Sequence, residues 1–229
     1  MDIHRFDNCE MLHEEFANRL IQILDEAITA KGEAYLAVSG GKTPAALFEV
    51  MAGKDLNWNA VSVILVDERW NTAQETDSNE WMVRNCLLKN KAAAAAFINF
   101  STQNLTIEEA IGEAEAKLAR IPLFDAVILG MGEDGHTASL FPGSRELEYG
   151  LSNFAKDVIA LTPIHAPFQR ITLTKPRLLR TRKLFLQLVG ENKMRVFQEA
   201  LADNDALTMP IRAFINQPAT RLQVMFAPS

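Results

Sequence analysis

A histidine two residues after an aspartate, inside a turn built on glycines, can move protons. Here the pair is Asp134 and His136, within Gly130-Met-Gly-Glu-Asp-Gly-His-Thr-Ala-Ser-Leu-Phe-Pro-Gly143. Imidazole exchanges protons near neutral pH, and a neighbouring carboxylate can fix its orientation. The largely apolar run Phe124 to Leu129, bounded by Pro122 and by glycines, reads as a strand covered on both faces. Open α/β sheets bind ligands beyond the carboxyl ends of such strands, and the turn would aim His136 there.

Other polar groups sit at comparable places. Ser39-Gly40-Gly41-Lys42-Thr43-Pro44 follows an apolar strand and precedes a helical pattern. Its glycines allow close backbone approach, Thr43 suits an N-cap and Pro44 a first helical position, so the free N–H groups can meet an anion. Val66-Asp67-Glu68-Arg69 ends the next apolar strand. Asp67 could orient His136 or a substrate hydroxyl, and Arg69 could bind a phosphate, a carboxylate or a developing oxyanion. Arg170 opens Ile171-Thr-Leu-Thr174, and Lys193 lies in the first turn of a helix beginning near Glu191 or Asn192. A cation there opposes the helix dipole unless it meets a bound anion. Asp77-Ser78-Asn79 starts a helix, with Asp77 or Ser78 as the cap and Asn79 free to reach ligand hydroxyls.

Two nucleotide motifs are imitated without being met. Gly130-Met-Gly-Glu-Asp-Gly135 satisfies the dinucleotide spacing, but Glu133 and Asp134 would repel a pyrophosphate and Pro142-Gly143 leaves no room for the long helix. Gly41-Lys42-Thr43 would need a glycine at position 36 to form a P-loop, and Leu36 is there. A serine hydrolase is also a poor fit, because neither Ser39 nor Ser139 lies in a G-x-S-x-G elbow. His4, His13 and His165 belong to no such constellation.

The elements that must position these residues alternate. An apolar helical face, Leu12, Phe16, Leu20, Ile23, Leu24 and Ala27, runs from about Glu10 to Ala30 and stops at Lys31-Gly32. Apolar runs at 34–38, 61–66, 124–129, 171–173, 184–189 and 222–226 alternate with helical patterns at 43–51, 77–88, 107–119 and 192–201. This predicts an α/β fold: a doubly wound, mainly parallel, Rossmann-like sheet with helices on both faces, in one domain spanning residues 1–229. Lys91-Ala-Ala-Ala-Ala-Ala96 favours a short helix or a helix extension. Ser144 to Pro167, with weak periodicity, suggests an antiparallel excursion or a loop over the site.

Composition narrows the partners. The net charge of −6 disfavours a nucleic-acid surface, and no basic block suggests an anionic membrane. Two cysteines without metal-ligand spacing fit free thiols in a reducing cytosol. The start of the chain lacks the features of a secretory signal, and no stretch approaches a transmembrane length, so a cytoplasmic protein is expected.

Taken together, Ser39-Gly-Gly-Lys-Thr-Pro44, Val66-Asp-Glu-Arg69, Asp77-Ser-Asn79, Gly130 to Gly143, Arg170-Ile-Thr-Leu-Thr174 and Gly190-Glu-Asn-Lys193 resemble the 6-phosphogluconolactonases. The related glucosamine-6-phosphate isomerases/deaminases share Ser39-Gly-Gly but carry Asn-Glu-Pro-Gly where this chain has Leu140-Phe141-Pro142-Gly143. An apolar Phe141 cannot take over that glutamate's proton chemistry. Asn71-Thr-Ala-Gln-Glu-Thr76 departs from the family pattern.

The resemblance implies hydrolysis of 6-phospho-D-glucono-1,5-lactone in the oxidative pentose phosphate pathway, with no metal and no organic cofactor. It implies that Ser39, Gly40, Gly41, Thr43, Arg170 and Lys193 hold the 6-phosphate. His136 would act as base and then acid, Asp134 or Asp67 would orient it, and Arg69 would face the oxyanion. The expected partner is a small sugar-phosphate lactone, acted on by a monomer or small homo-oligomer. The competing readings are an amino-sugar-phosphate isomerase/deaminase and a non-catalytic sugar-phosphate sensor.

Overall fold

The computed structural model describes residues 1–70, 75–100 and 104–229. In chain order the elements are β1 (Asp2–Arg5), α1 (Cys9–Lys31), β2 (Ala34–Val38), α2 (Lys42–Ala52), β3 (Val61–Leu65), β4 (Asp67–Arg69), α3 (Asn79–Cys86), β5 (Ala96–Ile98) and α4 (Ile107–Leu118). There follow β6 (Phe124–Leu129), α5 (Leu147–Leu151), β7 (Val158–Leu161), β8 (Arg170–Leu173), α6 (Lys175–Leu179), β9 (Thr181–Val189), α7 (Glu191–Leu201), α8 (Arg212–Ile215) and β10 (Leu222–Ala227). Of the divergent stretch 71–76, residues 71–74 lie outside the described residues.

Seven strands form one sheet in the order β1-β10-β9-β6-β2-β3-β5, and every neighbouring pair is parallel. Every residue of β2 and β6 is buried, as a sheet covered on both faces requires. Asp125 inside β6 is tolerated because Lys31 Nζ and the Tyr35 N–H donate to its carboxylate at 2.9 and 2.8 Å. Helix α1 has the expected face: Leu12, Phe16, Leu20, Ile23, Leu24 and Ala27 are all buried. The Asn8 side chain caps its start, and Gly32, at φ 83°, ends it. No described helix is long and apolar enough to cross a membrane.

The structure departs from the sequence expectations in a few places. The run at 171–173 does not join the parallel sheet. It lies in β8, within a second, three-stranded antiparallel sheet ordered β4-β8-β7. The connection from β7 to β8 is too short for the crossover that parallel pairing needs, so the two strands fold back as a hairpin. The stretch from Ser144 to Pro167 thus contains an antiparallel excursion, along with α5. The alanine run closes a short 3-10 turn, Asn90–Ala94, and then supplies edge strand β5. Strand β1 at the other edge, four residues long, was not anticipated.

Val66 joins the two sheets. Its N–H donates to Val38 in β2 of the large sheet, and its carbonyl accepts from Leu173 in β8 of the small one, at 3.0 and 2.8 Å. The chain therefore turns out of β3 directly into β4. This carries Asp67, Glu68 and Arg69 from an apolar strand onto the rim.

Candidate active site

Ser39, Gly130 and Gly190 follow the adjacent strands β2, β6 and β9. The chain order reverses between β2 and β6, the position at which such sheets open a crevice. A cavity of about 300 Å³ lies there. Ser39, Gly40, Gly41, Thr43, Asp67, Arg69, Asn79, His136, Arg170 and Lys193 all line it, and Asp134 is bonded to His136.

His136 Nδ1 lies 2.5 Å from Asp134 Oδ1, and the His136 N–H also donates to that oxygen at 3.1 Å. Burial pushes the Asp134 carboxyl up, but the hydrogen bonds and charge of His136 outweigh it and leave it below its usual value. An ionised carboxylate only accepts, so in the neutral imidazole Nδ1 carries the proton and the lone pair is on Nε2. The ring lies so close to Gly132 that a Cβ there would fall 2.1 Å from His136 Nδ1. Phe141 is a buried ring stacked on His136 at 4.0 Å between centroids. No helix follows this loop before Pro142, in keeping with the rejected dinucleotide motif. Ala138 takes a left-handed backbone, φ 50°, the kind of local strain that clusters at functional turns.

Asp67 is buried and has other partners. Ser139 Oγ donates to its Oδ2 at 2.5 Å, and Asn79 Nδ2 donates to its carbonyl at 2.8 Å. The carboxylate bonded to His136 is therefore Asp134. The Ser139 hydroxyl points to a carboxylate rather than to the histidine, so no serine–histidine dyad forms. Asn79 packs so tightly over the glycine loop that a Cβ on Gly40 would fall 1.9 Å from its Oδ1.

The cationic wall comes from the small sheet. Antiparallel register sets Arg69 directly opposite Arg170, a like-charge pairing that is unfavourable unless something anionic meets it. Burial, and then the charge of Arg69, push the Arg170 guanidinium down. Its Nη2 donates to the Pro167 carbonyl at 3.0 Å, while its buried Nε has no partner. Arg69 Nη1 donates to the Asp77 carbonyl at 2.7 Å. Glu68 anchors this wall: its carboxylate accepts from the backbone N–H groups of Arg69, Asn79 and Glu80 and from the Ser78 hydroxyl. Burial pushes that carboxyl above its usual value, against the pull of those four donors.

Helices α2 and α7 supply the third wall. Each starts at a glycine of positive φ, Gly41 at 100° and Gly190 at 94°, and neither has a side-chain cap. Their first turns therefore present uncapped N–H groups suited to an anion, apart from the Lys193 N–H, which donates to the Gly190 carbonyl at 3.1 Å, and Pro44, which has none. Gly41 makes the turn itself, so α2 begins at Lys42; Thr43 is not its N-cap and Pro44 is its third residue, not its first. Ser78 does cap α3, accepting from the Trp81 N–H. Lys193 lies in the first turn of α7 as expected. The Ser39 hydroxyl and Asn79 Oδ1 are buried at the cavity without partners. Sequence reasoning missed Gln187, a buried amide in the apolar stretch of β9. One polar residue in an apolar strand was the available signal. Among the described residues no group of three or more His, Cys, Asp or Glu converges to hold a metal.

A hydrogen-bonded His–Asp pair and two paired arginines at one cavity, at the carboxyl edge of a parallel sheet, suit an enzyme of small anionic substrates. The family described as Glucosamine-6-phosphate isomerases/6-phosphogluconolactonase matches residues 7–224, and the chain belongs to that family. It is 40% identical to a 6-phosphogluconolactonase of Rhizobium meliloti (strain 1021), over 99% of each chain. It is 36% identical to one from Pseudomonas putida, over 94% of this chain and 90% of the relative. The crystal structure of a 6-phosphogluconolactonase from Shewanella baltica OS155 superposes with a TM-score of 0.94 at 41% identity, covering 99% of this chain and 97% of that one.

Proposed function

We propose that this chain hydrolyses 6-phospho-D-glucono-1,5-lactone to 6-phospho-D-gluconate in the oxidative pentose phosphate pathway. The observation that carries the reading is the His136–Asp134 hydrogen bond, made at the same cavity that holds the opposed Arg69 and Arg170. Near-full-length likeness to relatives named for this activity supports it.

The free Nε2 of His136 takes a proton from water as the water oxygen bonds to C1. The carbonyl electron pair moves onto oxygen, and Arg69 faces that charge. On collapse the C1–O5 bond breaks, and the imidazolium returns its proton to O5, which becomes the C5 hydroxyl. The new carboxylic acid loses its proton to solvent. These steps use only side chains and water. Arg170, Lys193, Ser39, Gly40, Gly41 and Thr43 hold the 6-phosphate, a remote handle whose binding energy places C1. All of these groups come from one chain, so a monomer can carry a complete site. The two free thiols fit a cytosolic setting.

Proton release from freshly made 6-phosphogluconolactone tests this, with gluconolactone as the control because both lactones open spontaneously. Acceleration confined to the phosphorylated lactone is expected. No acceleration above background would overturn the reading.

A further inference from the structure

Strand β9 runs Leu184-Phe-Leu-Gln-Leu188 through the middle of the large sheet, and Gln187 alone among these residues is polar. It is 3% exposed, and an amide so deeply buried is costly unless its polar atoms find partners. Gln187 lines the cavity, as do Thr43, Val189 and Lys193. Nε2 donates to the Thr43 carbonyl at 3.4 Å, and Oε1 is buried with no partner. Thr43 also decides which way the amide faces. Turned over, Oε1 would oppose the Thr43 carbonyl, acceptor against acceptor. The vacant position is therefore an acceptor.

An acceptor at this place selects its ligand's chemistry. A phosphate dianion offers only acceptors, so it pairs with Arg170, Lys193 and the helix N–H groups and not with Gln187 Oε1. A hydroxyl can donate. We propose that Gln187 is a specificity residue that accepts a hydrogen bond from a hydroxyl of the sugar-acid chain next to the phosphoryl group. The cavity then distinguishes a polyhydroxy phosphate ester from phosphate itself. This role rests on the reaction proposed above and adds a residue to its recognition surface.

The test compares Gln187→Met, which keeps length and removes the acceptor, with Gln187→Leu and the wild type. Calorimetry at pH 8, where a phosphate monoester is mostly dianionic, gives the affinities for 6-phosphogluconate and for inorganic phosphate. Both variants should bind 6-phosphogluconate about fivefold to tenfold more weakly, the scale of one hydrogen bond, with phosphate affinity and melting temperature unchanged. Equal losses for the two ligands would make Gln187 a support for the phosphate cradle and overturn the proposal. Unchanged affinity for both would overturn it too. Lactone hydrolysis by the wild type, run in parallel, separates the failure of this assignment from failure of the underlying reaction.

Discussion

The two sheets furnish the cavity by different means. In the large sheet β2 and β6 are buried along their whole length, and chemistry starts only where those strands stop, in glycine turns that hold Ser39 and His136. In the small sheet the chemistry sits on the strand itself. All three residues of β4, Asp67, Glu68 and Arg69, are charged, and register against β8 decides what each one faces. A group on a turn can be removed without touching the ladder that carries it. A group on the strand is part of the ladder. Activity and stability should therefore separate at the turns and move together at the small sheet.

The sharpest way to break this contrast is His136→Ala. The kcat on the phosphorylated lactone should fall roughly 10²- to 10⁴-fold, the worth of a positioned acid/base. The melting temperature should move by no more than about 2 °C, since the side chain lies outside the core. A variant with full activity would remove the mechanism. One that fails to fold would remove the distinction between turn and strand.

Gly132→Ala probes the same turn through its backbone. The added Cβ would lie 2.1 Å from His136 Nδ1 and 2.6 Å from Asp134 Oδ1, so the pair must shift. A displacement of about 1 Å can cost on the order of 100-fold, and kcat should fall roughly 10- to 100-fold with KM less affected. If KM rose while kcat held, the loop would serve binding instead.

Glu68→Gln tests the strand side. The carboxylate accepts from three backbone N–H groups and one hydroxyl, and an amide must turn its own NH2 toward some of those donors. Urea unfolding should show a loss of about 1–3 kcal/mol. The kcat/KM should fall as well, because Arg69 and Asn79 are both held through Glu68. Lost stability with intact activity would show that the two are not coupled there.

This contrast also explains what could be read from sequence. The central strands were legible because burial on both faces demands unbroken apolar runs, and β2 and β6 begin and end where their patterns do. The loop after β6 was legible because its glycines and its Asp134–His136 pair are local. The small sheet was not. Strands of three or four residues show no periodicity, and the pairing of Arg69 with Arg170 spans about a hundred residues. The Asp134 and Asp67 alternatives stayed open for the same reason: only the fold gives Asp67 its own partner in Ser139. Gln187 was missed because one polar letter in an apolar run reads as noise until the strand's neighbours are known.

The smallest effect concerns Asp134 and pH. Its folded carboxyl lies below the unfolded value, which is about 3.9, so the native state binds its proton less readily than the unfolded chain does. The stability this contributes is fully present above the unfolded value and is lost as pH falls through the lower folded one. Melting curves of wild type and Asp134→Asn should therefore converge as the pH falls below about 4. The side chain is 47% exposed, which limits the gap to at most about 3 °C for a chain this size. A gap that widened on acidification would mean that the carboxylate strains the turn rather than steadies it. The hydrogen bond to His136 would then be maintained for catalysis against a cost in stability, and the turn would no longer be a passive carrier.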